Sequence, residues 1–530
     1  MNTLPASPDL DHLKKQAKDL LRDARAGDSS ALLRFVQTLP AARGILPADL
    51  VNRDLKLHDA QSVLAREYGF PSWTELSGYV GWKQSDRFER LKQWADWVYR
   101  EQARERRMAI RLLREEPELF AASTLEKEPW IACAVGDAAV LAKVLESPDS
   151  RAWANRPTGP LQMPPLVAVT HSQLIHEPGF EAGMLACVTL LLEHGADPDS
   201  SWMSPDWKDN PLSALYGATG RAYNAAMTRL LLNAGASPDD NESLYHSCEG
   251  SDPECPRLLL NAGATVSGTN ALGRILDFDK PELLQQMIDH GGNVNERPWM
   301  HHAILRGRST EHIRILAQAG ANLRAVDASG TSLFRFAQQH GREDVLAILR
   351  EAGVSEDLTQ EELFVAACAR ADESSARRVL GQTPDILNRL SLHQLQTMPQ
   401  LAAIGEIAAV RTMLDLGWPR EVRFGWGATA LNLGVFRGDA AMVALLLKAG
   451  ADWRTKHDFK DNVVGTLAWA SNNAADGSDG PSVGDYAGCT HELLAHGVPL
   501  AAFEGYGFSP EVEAVLDLTR MQNGTPSTPK

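Results

Sequence analysis

Two groups of side chains in this chain have the residue types of ligating or acid–base chemistry. His171, His176 and Glu177 share one polar loop, and His457, Asp458 and Asp461 share another. Imidazoles with a carboxylate are a familiar donor set for zinc and related cations. The first group is poorly spaced for it: His171 and His176 are five positions apart, whereas a helix stacks side chains on one face at separations of about three or four. Both groups read as polar loop residues, and no metal or cofactor is expected. The phosphate-binding G-x-x-x-x-G-K, the dinucleotide G-x-G-x-x-G and H-E-x-x-H are all missing, and no residue is assigned a catalytic role. Cys133, Cys187, Cys248, Cys255, Cys368 and Cys489 form no C-x-x-C pair. Thiols scattered along helical patterns act as small apolar fillers, which implies reduced cysteines and a reducing compartment.

What would position functional side chains is a repeated unit. Residues 428–452 read ATALNLGVFRGDAAMVALLLKAGAD. Two short helical patterns, 430–436 and 440–448, are split by Arg437-Gly438-Asp439 and closed by Gly450, where a helix end favours positive φ. Met442, Val443, Leu445, Leu446 and Leu447 leave the second helix almost no polar face, so neighbours must cover it on more than one side. The same ending recurs at Gly195, Gly235, Gly263, Gly291, Gly320, Gly353, Gly417 and Gly497, at intervals of 28 to 40 residues broken by one of 64 and one of 47. Such self-similarity predicts stacked units that bury their apolar faces only against one another.

TALNLGVFRGD and LLLKAGAD resemble the two halves of an ankyrin repeat. The resemblance implies an all-α ankyrin-repeat solenoid of about eleven degenerate repeats over residues 129–502. LKKQAKDLLRDARAGD and LHDAQSVLAREYGFPSW, within residues 1–82, resemble an N-terminal helical module of bacterial ankyrin-repeat proteins. Its expected role is a polar-faced cap. Residues 83–128 read as connecting helices of mixed charge. In them the basic run RERRMAIRLLR is diluted by Glu101, Glu105, Glu115 and Glu116. Residues 503–530 read as a C-terminal cap and a disordered tail, and SNNAADGSDGPSVGD as a flexible loop.

A hydrophobic content of 44% suits a folded chain, and a net charge of -16 argues against nucleic acid as the main partner. No apolar run reaches the roughly 18 residues of a membrane span and no apolar signal core opens the chain, so a cytoplasmic, monomeric protein is expected.

The resemblance implies a protein-interaction scaffold whose concave face, lined by finger loops and first helices, binds a protein partner. The candidate contact residues are Trp202, Trp207, Trp299, Phe424, Trp426, Trp453, His457, Asp458, Phe459 and His302. Tryptophans in fingers offer large apolar area with a polar handle. Within the repeat pattern His301 takes a structural position and His302 the neighbouring groove position. The alternative is an enzyme or a small-molecule or metal binder that uses the groove near the 453–461 finger.

Overall fold

The structure, a computed structural model, describes the chain apart from residues 1, 6, 40, 41, 43, 44, 52–54, 102, 206, 474–483 and 524–530. The loop and the tail expected to be disordered fall largely outside the described residues. The chain divides into two compact units, Met1–Ala121 with Pro499–Lys530, and Ala122–Val498.

In the first unit Asp9 caps the helix Leu10–Arg25 by accepting from the His12 amide at 2.7 Å. Helices Ser29–Thr38, Leu57–Glu67 and Trp73–Gln84 follow. Their apolar stripes close a core around Leu20, Phe35, Leu50 and Val63. The mixed-charge stretch is two helices, Arg87–Tyr99 and Ala103–Glu115, joined where the buried Trp94 Nε1 donates to the Ala109 carbonyl. Two of its basic side chains are used within the unit. Arg107 pairs with Glu75 at 3.1 Å, and Arg111 lies over the Phe70 ring while donating to the Tyr68 and Gly69 carbonyls. The stretch up to Ala121 therefore belongs to the N-terminal unit and does not form a free connector. The last helix, Pro510–Asn523, also belongs to this unit and not to the array. Val512 and Leu516 are buried there, and its Asp517 and Arg520 act electrostatically on Asp59.

The second unit contains eleven helix pairs among its described residues, from Pro129–Val135 with Ala138–Leu145 to Val463–Asn473 with Tyr486–Ala495. In the pair read above, Thr429 and Asn432 form a reciprocal capping box on Ala430–Arg437, and Asp439 caps Ala440–Lys448. Met442, Val443 and Leu446 are fully buried. All nine helix-ending glycines have positive φ, from 70° at Gly353 to 97° at Gly235. The turn between the helices is equally constrained. Gly438 has φ 71°, and a Cβ there would sit 2.4 Å from the Gly484 Cα of the next unit, because the Asp485 amide donates to the Gly438 carbonyl at 2.8 Å.

A second row of bonds joins the loops. The side chain four residues past the glycine accepts from the backbone amide two residues past the next glycine. Asp199 takes the Ser237 amide and Asp239 the Thr265 amide, both at 2.7 Å. Ser267 takes Asn293 at 2.9 Å and Asn295 takes Asn322 at 2.7 Å. Arg324 stands at the next such position and cannot accept; it donates instead to the Gly353 carbonyl. The row resumes where Glu421 accepts from Asp452 at 2.8 Å.

Between those points the array folds across itself. Regular stacking joins each unit only to its immediate neighbours. Here Gln339 donates to Thr397 Oγ1 at 2.7 Å and to the His393 carbonyl at 3.1 Å. His340, fully buried, meets Gln400 at 3.1 Å. A Cβ on Gly307 would lie 3.2 Å from Ile404. The helix Thr397–Ile404 thus passes the unit Gln360–Ala369 with Glu373–Gln382 to reach two earlier first helices.

Leu446→Asp would place a carboxylate among fully buried neighbours and is expected to destabilise the array by several kcal/mol, on the order of 3 or more. A thermal melt unchanged by that substitution would remove the helix from the core. All six cysteines are free and buried. Burial pushes Cys187, Cys248 and Cys368 up to about 12 and Cys255 to about 11. A thiol reagent should therefore label none of them in the native chain and all of them after unfolding; rapid native labelling of Cys248 would contradict this packing.

Candidate interaction surface

The finger after Gly417 is closed by an antiparallel bridge between Phe424 and Ala428. The next finger turns tightly, with the His457 amide on the Asp461 carbonyl and Lys460 at φ 66°. One backbone bond fixes their register: the Asp458 amide donates to the Trp426 carbonyl at 3.1 Å. This brings Trp426 against the His457 ring at 4.8 Å and the Phe459 ring at 6.1 Å. His457 is buried, and burial lowers its pKa. Phe459 is 75% exposed.

The rings continue onto the first helices. Trp426 lies 6.1 Å from Phe436, and Phe436 stacks on Trp469 at 5.5 Å with their planes 8° apart. Trp469 is 50% exposed. Four aromatic side chains from two successive units thus form one surface run with solvent at both ends. Edge-on and offset contacts of this kind hold rings in place without hiding their faces.

Of the residues expected here, Trp426, His457 and Phe459 come together, and Asp458 is exposed beside them. Phe424 is half-buried at the base of its finger. Trp453 is half-buried with the Arg454 guanidinium 4.5 Å above its ring and makes no ring contact with the run among the described residues. Trp202, in the hairpin Ser201–Ser204 with Trp207–Ser213, donates from Nε1 to the Leu161 carbonyl at 2.8 Å and so staples its finger to the preceding one. Trp207 opens the second strand of that hairpin. Trp299 is placed differently from expectation. It begins the helix Trp299–Leu305, is 4% exposed and packs on Gly273, so its ring offers no surface to a partner.

His302 belongs to a row of charges along the first helices. It meets Asp277 at 3.1 Å, and Asp277 also pairs with Arg274 at 3.1 Å and Arg306 at 2.8 Å. Arg274 continues to Glu249 at 2.7 Å, and Glu249 to His246 at 2.8 Å. His301 is buried with Nε2 on the Thr331 carbonyl of the next unit. The bond crosses between units, in keeping with a structural position. The two loop histidines are also engaged with carbonyls, His171 with Ser213 at 2.8 Å and His176 with Arg221 at 2.9 Å. No group of three His, Cys, Asp or Glu side chains among the described residues is arranged to hold a metal ion. A cavity of about 390 Å³ lies beside Arg335, Gln339 and His393, away from the 453–461 finger. Its guanidinium is already answered by Glu356 and Glu362.

The chain matches no protein-family model and no curated protein. Among solved structures it is similar to the human ASB11 ankyrin repeat domain, with 19% identity and a TM-score of 0.31 over 39% of this chain and 89% of that one. It is similar also to the ankyrin repeat domain of Bcl-3, a member of the IkappaB protein family, with 17% identity and a TM-score of 0.19 over 38% and 94%. The array has the all-α ankyrin-repeat fold. Nine of its helix pairs end on glycines at positive φ, from Gly195 to Gly497.

Two residues of the surface, Phe436 and Trp469, are absent from the sequence-based set because each reads as part of a helical apolar pattern. The ankyrin register contains the signal that finds them. Trp426 and Phe459 are 33 residues apart, as are Phe436 and Trp469, and so are Gly417 and Gly450. Equivalent positions of adjacent repeats lie side by side, so aromatics repeated at that interval must meet.

The charge row titrates in a defined direction. Burial alone would lower the His246 pKa, but its hydrogen bonds to Glu242 and Glu249 outweigh that and push it up to about 9. A raised folded-state value contributes stability that is complete below the unfolded value of about 6.5 and is lost as pH rises through the folded one. The melting temperature should therefore fall between about pH 6.5 and pH 9, and His246→Gln should flatten that slope. An equal slope in His246→Gln would assign the titration elsewhere.

Proposed function

We infer that the protein is an interaction module that captures a protein partner on the side of the array formed by its fingers and first helices, through the aromatic run at the C-terminal repeats. The observation that carries this reading is the exposure of Phe459 and Trp469, at 75% and 50%, at the two ends of a contiguous four-ring surface. Folding gains nothing from leaving such area in water, whereas a partner that covers it gains about 25 cal/mol for each Å² removed from solvent. Aromatic anchors ringed by polar groups are the usual composition of an interface centre, and Asp458, Lys456 and Lys460 supply the polar rim. The ordered fingers add to the affinity, since rings held by neighbouring rings lose little entropy on contact.

The test is substitution at the exposed ends. Phe459→Ala with Trp469→Ala should reduce partner recovery from the native cell extract by about tenfold or more while the melting temperature moves by only a few degrees. Recovery of the same partners at the same yield would take the interface away from this patch. Trp453→Ala, which lies outside the run, serves as the control and should leave recovery intact.

A further inference from the structure

The array's fold-back places two arginines of distant sequence beside the aromatic run. Arg437 follows Phe436 at the end of its helix, and its guanidinium packs over Gly405, where a Cβ would stand 3.0 Å from its Nε. Ile404, one residue earlier, meets Gly307 on the other branch of the array, which brings Arg308 into the neighbourhood. The two guanidinium groups act on each other electrostatically. Burial lowers the Arg308 pKa most, with Arg306 and Arg437 adding to that and Asp279 and Asp277 opposing it.

Neither arginine has a carboxylate nearer than 4.0 Å in the ion pairs of the described residues. Arg308 gives its guanidinium to a neutral acceptor, the Arg306 carbonyl at 2.7 Å and 3.0 Å. Arg437 has Asp439 only at 4.0 Å, and its side chain is 36% exposed. Arg306, by contrast, is already paired with Asp277 at 2.8 Å. In a chain of net charge -16, these two guanidinium groups beside exposed rings are only loosely paired, Arg437 with Asp439 at 4.0 Å and Arg308 with Asp279 and Asp277 only through longer-range attraction. A guanidinium binds a carboxylate through two parallel hydrogen bonds, which a carbonyl cannot reproduce.

We propose that the partner segment is an acidic one, with an aromatic or large aliphatic side chain seated on Phe436 and Trp469 and adjacent Asp or Glu carboxylates bound by Arg437 and Arg308. This rests on the aromatic run being the docking surface and adds the charge of what docks there. The finger end carries Asp458 between Lys456 and Lys460 and makes no comparable demand, so the acidic residues belong at the turn end of the segment.

The experiment titrates the full chain against fluorescent short peptides by anisotropy. One peptide carries Trp and Leu anchors flanked by Asp and Glu. The second replaces the acids by Lys, the third replaces the anchors by Gly, and the fourth replaces one acid by phosphoserine. The acidic anchored peptide should bind about tenfold or more tightly than the Lys and Gly versions, and its affinity should weaken as salt is raised. Arg437→Gln with Arg308→Gln should erase the advantage over the Lys peptide while leaving the anchor dependence in place, with a melt confirming that the variant is folded. Equal or tighter binding of the Lys peptide overturns the proposal, as does an unchanged acidic preference in the double variant. Binding that requires the phosphoserine overturns it in favour of a phosphorylated segment. If the Lys peptide binds as well and still depends on Phe459 and Trp469, the acidic preference fails while the docking surface stands; if no peptide binds and partner recovery ignores those rings, both fall.

Discussion

In most loops of the early array a backbone amide that helix geometry leaves free is accepted by a side chain of the preceding loop. These loops are exposed, so each bond contributes about 0.5–1.5 kcal/mol, and the contribution repeats from unit to unit. The solution uses short polar side chains, Asp199, Asp239, Ser267 and Asn295, each held at one offset from a glycine in the left-handed region. The glycine turns the chain out of the helix, and the side chain then reaches the next unit. The length of a repeat is therefore fixed at the loop as well as in the core.

That dependence explains where the array departs from regular stacking. Arginine at position 324 can only donate, so the row of accepting side chains stops there. Beyond it comes a unit whose second helix, Glu373–Gln382, ends at Thr383 with no glycine to launch a finger. Two four-residue helices, Ile386–Arg389 and Leu392–Leu395, fill that stretch. Released from loop pairing, the helix Thr397–Ile404 makes polar contacts with Gln339 and His340 and closes on Gly307. Nearest-neighbour stacking gives way to a contact between non-adjacent units, and the proposed acidic-segment site is assembled by that contact.

The aromatic run and the charge row use the same register to different ends. Rings at equivalent positions of two late repeats pack together and stay exposed at Phe459 and Trp469, whereas Glu249, Arg274 and Asp277 pair with one another and with His246 and His302 along the earlier first helices. Charges satisfied in this way leave little for a partner to bind, since breaking a buried pair costs more than a new contact returns. The late repeats retain exposed aromatic area at Phe459 and Trp469 and a loosely paired Arg437, and the proposed docking surface rests on that difference.

The sequence by itself determined the unit: apolar runs such as 442–447 require cover on several sides, and glycines at a near-constant interval require helices to stop there. It also placed Phe424, Trp426, Trp453, His457 and Phe459 in two successive fingers, of which the fold brings Trp426, His457 and Phe459 into contact. Phe436 and Trp469 were legible only through the interval of 33 residues, since an aromatic at a helix end has the same local pattern whether it is covered or bare. Trp299 shows the converse: beside a predicted finger it reads as surface, but Gly273 of the preceding unit leaves a space that its ring fills. Contacts across many residues carry no local periodicity, so the grouping of the C-terminal helix with Met1–Ala121 and the approach of Arg308 to Arg437 were decided by tertiary structure alone. Local pattern specifies which face of a helix must be covered; what covers it depends on how the whole chain closes.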